Sequence, residues 1–425
     1  MSNSLKASEE GLRIVDTARQ QKGWNRQDQV WYNQANSCLA TLKRFWRREE
    51  ITRETFILFC GAVGVNWEKV VDTTSPFALN PIEYWGRVPN VSTVYGRTQK
   101  LKELKECIVD HSCRVLALVG PGGVGKTILA AKLAEAIQFE FEYVMWFALD
   151  DVSPLEEVLT KILEYLYKNS NSDPLKNIQN TSDRISELMH FFRNHRCLLI
   201  IDKLETILCS GKYVGSYKEK CNNYGDLFRR IGEEQHQSCF IVTSRETTGE
   251  IEELEGPNLP VRKLKLKGLE EEAAWKILEA KGLSEPNDLT EKQQWRRLIQ
   301  AYKGNPKILQ MVAATIKSVY NGKVGEFLVK IESLVTGDVE EFIGQQFDRL
   351  TEPEKNILYE LAKQREPVSL PQIQENLSLS QLELDRAIES LIRRSLLERS
   401  NDSFILDPVV IDYVKDRYKL KPEED

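Results

Sequence analysis

Val115-Leu-Ala-Leu-Val119 runs directly into Gly120-Pro-Gly-Gly-Val-Gly-Lys126-Thr127, and that into Ile128-Leu-Ala-Ala-Lys-Leu-Ala-Glu-Ala136. The first segment is five consecutive apolar residues, the length of a strand buried on both faces. The last has the composition of a helix. Between them lies a complete GxxxxGK[ST], in the strand–loop–helix context that gives the motif its meaning. Glycines let such a loop turn its backbone N–H groups onto phosphate oxygens, and the helix N-terminus adds its positive dipole end. We expect Gly120, Gly122, Gly123, Val124, Gly125, Lys126, Thr127 and Ile128 to cradle a nucleotide. Lys126 supplies charge to the β and γ phosphates, and the Thr127 hydroxyl serves Mg²⁺.

Working outward, residues 94–267 alternate short apolar runs with amphipathic stretches, the βα pattern of a parallel sheet. The expected strands are Val115–Val119, Tyr143–Ala148, Cys197–Ile201, Phe240–Val242 and Leu264–Leu266. Cys197-Leu-Leu-Ile-Ile-Asp202 ends in an acid at the carboxyl edge, where ligands bind in such sheets, so Asp202 is the second expected metal residue. Phe240-Ile-Val-Thr243-Ser244-Arg245 ends in hydroxyls and a guanidinium, which makes Arg245 a candidate γ-phosphate sensor. Before this block, 73–93 is rich in Pro, Asn, Ser and Thr and reads as a linker, preceded by a small all-α domain over 1–72. After it, 268–337 reads as a helical domain. Residues 338–425 read as a winged helix, with a strand pair flanking Asn401-Asp402.

The bulk properties agree with a multidomain chain. At 425 residues it exceeds one core, and 41% hydrophobic with 29% charged residues is ordinary for globular proteins. A net charge of −6 gives no global attraction to nucleic acid. The sequence has no apolar run near 18 residues and no apolar leader after its start, so the expected location is cytoplasmic, with no membrane partner. Eight scattered cysteines without CxxC, and four histidines without HExxH, argue against disulfides or a zinc site.

Taken in order, these motifs resemble the NB-ARC branch of the STAND ATPases, which includes the apoptosome scaffold, plant immune receptors and many cyanobacterial regulators. The resemblance covers roughly residues 94–420. It implies that Val94, Tyr95, Gly96 and Arg97 lie near adenine and ribose, that Gly120–Thr127 is Walker A, and that Asp202 is Walker B. Thr243-Ser244-Arg245 matches the sensor-1 stretch, and Leu266-Lys-Gly268-Leu269 with Ala273-Ala274 the start of the helical domain. Tyr302-Lys-Gly304-Asn-Pro306 matches the GxP motif, implying that Pro306 packs on the adenine. Two positions depart from the family. Lys203 stands where a second acid usually follows Walker B, leaving Glu205 as the nearest acid; a positioned base is worth about 10²–10⁴-fold, so slow hydrolysis is expected. Asp407, in Leu406-Asp407-Pro408, aligns either with a histidine that holds the ADP β-phosphate in the family, a bond an Asp cannot donate, or with the family's acidic position beside it.

The first seventy residues resemble phage-repressor-like domains, which implies that Asn36–Arg47 is a recognition helix, with Cys38 where a capping Ser is usual. Residues 1–72 hold 11 Lys+Arg against 9 Asp+Glu, a balance of only +2, weak for duplex DNA. A protein-binding adaptor is the equal alternative. Three functions follow: an ADP/ATP switch that self-associates with ATP, a steady ATPase, and a transcription regulator acting through the N-terminal helices. Many family members continue into WD or other repeats, so the signal is expected either from a protein or ligand in trans or from sequence outside a fragment.

Overall fold

The computed structural model describes residues 4–72, 81–89, 94–149, 153–168, 178, 180–331, 333–364 and 367–419. Most of the expected linker (73–80 and 90–93) and the tail 420–425 lie outside the described residues. A six-stranded sheet is the centre of the molecule. Its strands are β1 (Ile82–Trp85), β2 (Val115–Val119), β3 (Tyr143–Ala148), β4 (Cys197–Asp202), β5 (Cys239–Ser244) and β6 (Val261–Lys265), in spatial order β1-β3-β4-β5-β2-β6. Every neighbouring pair is parallel.

Alternate side chains feed two cores, as the period of a strand requires. Val115, Ala117 and Val119 pack on one face with Met145, Leu199 and Phe240. Leu116 and Leu118 pack on the other with helix α1 (Lys126–Ile137) through Leu129, Leu133 and Ala134. The stretch read as linker contains β1, paired in register with β3. Its residues Ile82 and Tyr84 are half-exposed, as on an edge strand, so the apolar signal there is weak.

The N-terminal body holds helices Glu9–Gln21, Gln29–Gln34, Leu39–Trp46 and Arg53–Ala62, and the two-residue strands Ser4–Leu5 and Ile51–Thr52 pair antiparallel beside them. Fully buried Trp31 is its centre: the indole donates to the Phe59 carbonyl at 3.0 Å, and Phe45, Trp46 and Phe59 meet it edge-on. The expected helix Asn36–Arg47 is shorter, Leu39–Trp46, because extended Cys38 and positive φ at Arg48 close it off. Arg44 and Arg47 both face Glu49, at 3.6 and 3.8 Å. That pairing lowers the positive field this helix presents to a phosphate backbone.

Beyond the sheet, helices Glu271–Ala280, Leu289–Ala301 and α2 (Pro306–Val319) share one continuous core with everything to Tyr418. The C-terminal unit begins with α3 (Asp338–Phe347), then helices Glu352–Lys363, Leu370–Asn376 and Gln381–Arg393. A hairpin of Leu397–Ser400 with Ser403–Leu406 follows, whose second strand also pairs with Val368–Ser369, and helix Pro408–Tyr418 closes the unit.

This unit is held against the sheet domain by buried charge. Glu246, immediately after the β5 turn, pairs with Arg394 at 2.7 Å and with Arg349. Arg394 also pairs with Glu354 at 3.0 Å, and Glu354 accepts from Ser390 Oγ at 2.7 Å. Arg394 further donates to the Lys212 carbonyl, and Arg393 to that of Thr247. Glu246, Glu354 and Arg394 are all buried, so removing Glu246 takes from Arg349 the acid it pairs with and from Arg394 one of its two. We expect Glu246→Ala to cost about 3–5 kcal/mol, read as a lowered urea midpoint. A change below about 1 kcal/mol, the worth of an exposed pair, would contradict this account of the interface.

Candidate functional site

The loop Gly120–Gly125 crosses from β2 to α1 with Gly123 at φ +74° and Gly125 at φ +100°, left-handed values that glycine takes without strain. Lys126 folds back over it. Its ammonium donates to the carbonyls of Gly120 at 2.8 Å and Pro121 at 2.9 Å. The side chain is buried, and desolvation pulls its pKa from 10.5 down to about 8, against the raising pull of Glu205 and Asp202. A cation held so far from water is poised for an anion.

Beside it, Asp202 at the end of β4 accepts through one oxygen from Thr127 Oγ1 at 2.8 Å and from Thr243 Oγ1 at 2.5 Å. Burial pushes the Asp202 carboxyl above its usual range, while those two hydroxyls hold it down. Thr127 and Asp202 are hard oxygen donors in contact with each other. This fits magnesium, which usually takes one or two protein oxygens and completes its shell with water and phosphate. Bound there, the ion would neutralise charge between two phosphates.

Lys203, the departure after Walker B, is exposed; its backbone N–H donates to Thr243 Oγ1 at 3.0 Å and its carbonyl accepts from Thr206 Oγ1 at 2.9 Å. Glu205 does enter the site. It pairs with Arg245 at 3.3 Å and accepts the Arg245 N–H at 3.2 Å. The two residues expected to act separately on a γ-phosphate are therefore partners of each other.

Of the expected adenine-side residues, Arg97 reaches the same loop. Arg97 donates to the Lys267 carbonyl at 2.5 Å and reaches the Val124 carbonyl at 3.5 Å. Val94 packs on the sheet-domain core and Tyr95 on the helical core. Gly96, at φ +65°, lies where a Cβ would meet Ala273 Cβ at 2.4 Å, so only glycine allows this close approach. Pro306 is the first residue of α2, and Ile128 is 41% exposed on α1. Asp407 lines a cavity of about 250 Å³ with Pro121, Val124, Lys265 and Lys303. It also caps the last helix by accepting from Val409 N at 3.3 Å, and burial raises its carboxyl pKa.

Three residues on this loop were not singled out in the sequence. Asn305 caps α2 through Oδ1 and donates Nδ2 to the Gly122 carbonyl at 2.9 Å, fastening the helical domain to the phosphate loop. An Asn before a Pro is a readable capping signal; its second bond is tertiary and leaves no trace in sequence. Phe342 and Gln346, one turn apart on α3, close over Gly122 and Gly123 from the C-terminal unit, and no local pattern announces them.

The depressed pKa of Lys126 gives a signed expectation for ADP binding. Phosphate requires the charged amine, so affinity should be flat below pH 8 and fall above it, by up to about tenfold per pH unit. Titration calorimetry in buffers of different ionisation enthalpy should register proton uptake near pH 8. Lys126→Ala should fold, retain no nucleotide and lose that dependence. A mutant with parental ADP affinity would remove Lys126 from the site.

Residues 97–208 match the model of the NB-ARC domain. A WD repeat-containing protein of Nostoc is 35% identical over 455 aligned positions, which span 97% of this chain and 36% of the relative. The chain thus spans about a third of the length of that relative. Among solved structures, a Walker-type ATPase of Pyrococcus abyssi has a TM-score of 0.49 at 12% identity, covering 76% of this chain and 96% of that one. A STAND protein with a tetratricopeptide repeat sensor from Pyrococcus horikoshii has a TM-score of 0.40 at 18% identity, covering 80% and 44%. At those values the likeness carries no weight of its own, and the fold rests on the strands and helices described above. The segment that matches the NB-ARC model holds the glycine loop, Lys126, Thr127 and Asp202, with Thr127 and Asp202 in hydrogen-bond contact.

Proposed function

We propose that this chain is a nucleotide-driven signalling switch, closed with ADP and open and self-associating with ATP and magnesium, with slow hydrolysis between. One observation carries the reading. Asn305 of the helical domain and Phe342 and Gln346 of the C-terminal unit all touch the Gly122–Gly123 segment of the phosphate loop. A ligand that fills the loop therefore acts on three domains at once, and domain arrangement and nucleotide identity become linked quantities.

The γ-phosphate is the only chemical difference between the ligands, so the switching energy has to come from its surroundings. Arg245 is held by Glu205, and a triphosphate competes with that carboxylate for the guanidinium. Moving an equilibrium from 1:99 to 99:1 takes about 5.5 kcal/mol of differential binding. One or two charge-assisted bonds at about 1.5–3 kcal/mol each approach that figure. Asp407, in place of the family's histidine, offers ADP no such bond, so the ADP-bound state leaks. Output is assigned to the N-terminal helical body, through a protein partner. The DNA-binding alternative is weakened by Glu49 beside Arg44 and Arg47. The location proposed is the cytoplasm; no described helix is long and apolar enough to cross a membrane.

Sedimentation velocity with ADP and with a non-hydrolysable ATP analogue tests the proposal. The expected outcome is a compact monomer with ADP and larger species with the analogue, and Asp407→His should tighten the ADP monomer. Identical mass and shape with both nucleotides would refute it.

A further inference from the structure

Gly122, the third residue of the phosphate loop, faces three side chains. A Cβ built on it would stand 2.9 Å from Gln346 Nε2, 3.0 Å from Phe342 Cζ and 3.4 Å from Arg245 Cζ. The Arg245 guanidinium in turn lies 5.8 Å from the Phe342 ring centre. Gln346 is 8% exposed and lines a small, half-open cavity with Arg245, Glu246, Arg349 and Arg394. A neutral amide thus lies among charged groups, on the side of the loop where Arg245 stands.

We propose that Gln346 is a positioning residue for the water that attacks the γ-phosphate, supplied by the C-terminal unit of the same chain. The inference rests on the nucleotide-switch reading and deepens it. Lys126 fixes the β–γ junction, and Thr127 with Asp202 fixes the metal beside it. The γ-phosphate then has to lie between Lys126, Arg245 and Gly122, which is where the Gln346 amide reaches.

Among the described residues around the loop, Lys203 follows Asp202 and is exposed, and Glu205 is a carboxylate that a triphosphate repels as it takes up Arg245. A glutamine can donate Nε2–H to a phosphate oxygen while Oε1 accepts from water, and it adds no negative charge to a site receiving a triphosphate. GTPases use a glutamine for the same task. In the step itself, the water oxygen bonds to the γ-phosphorus as the β–γ bridging P–O bond breaks. The electron pair stays on the ADP oxygen, and the water proton passes to a phosphate oxygen. Phe342 covers the loop and limits bulk water.

The location of Gln346 has a regulatory consequence. It sits on α3, in the unit that the Glu246 network holds against the sheet domain. Hydrolysis belongs to the closed arrangement; an open ATP form lacks its water-positioning group and persists.

Single-turnover phosphate release from bound ATP, with ADP affinity measured on the same samples, tests this. Gln346→Met keeps the volume and removes the amide; Gln346→Ala removes both. Both should release phosphate at least tenfold more slowly, nearer about 10²-fold, with Kd for ADP and for an ATP analogue within twofold and an unchanged melting midpoint. Glu246→Ala should slow release as well, by letting α3 leave. Release by Gln346→Met within twofold of the parent overturns the proposal, as does a slowing matched by equal loss of nucleotide affinity, or a parent that binds ATP and releases no phosphate. A parent that binds neither nucleotide instead removes the switch reading beneath it.

Discussion

The ammonium of Lys126 has two backbone carbonyls within hydrogen-bond distance and almost no access to water. That single buried charge sets the terms for its surroundings. Carbonyls alone repay little of the cost of desolvating an ammonium, which is why its pKa falls to about 8. On the proposed reading, a polyphosphate with its metal beside the Thr127–Asp202–Thr243 chain would relieve that cost, and the domains that cover the loop would feel it.

What covers it is unevenly attached. Asn305 ties the helical domain to the loop by a neutral hydrogen bond, worth about 0.5–1.5 kcal/mol, and Gly96 fits closely against Ala273 on the other side. The C-terminal unit is tied instead by Glu246, Glu354, Arg349 and Arg394, a network that is costly to break partially and far less so when all its charges reach water together. Such an interface favours two discrete arrangements over a continuum. Its acid, Glu246, is the residue after Arg245, so any displacement of Arg245 is felt one peptide bond away.

Much of this was legible in the sequence because it is local. Val115–Val119 and Tyr143–Ala148 coincide with β2 and β3, and Cys197–Ile201 differs from β4 by one residue, since buried parallel strands are continuous apolar runs with sharp ends. The glycine loop, Thr127 and Asp202 meet as their spacing implied. Three features depart from the expectation for physical reasons. β1 is exposed at its first three positions, Ile82 and Tyr84 included, on a sheet edge inside a proline-rich stretch. The segment Asn36–Arg47 has its apolar face only from Leu39 to Trp46, and extended Cys38 with positive φ at Arg48 confines the helix to that span. Gln346 and Glu246 owe their positions to contacts about a hundred residues or more away in sequence, which no periodicity encodes.

The account stands on one claim, that this site is built around an adenine nucleotide whose identity sets the arrangement of the domains above it. Native mass spectrometry of the freshly purified chain, with the released ligand identified, addresses that claim most directly. The account predicts one ADP per chain, retained without added nucleotide and absent from Lys126→Ala. A chain that purifies without nucleotide and takes up none, or that carries a guanine nucleotide, would contradict it.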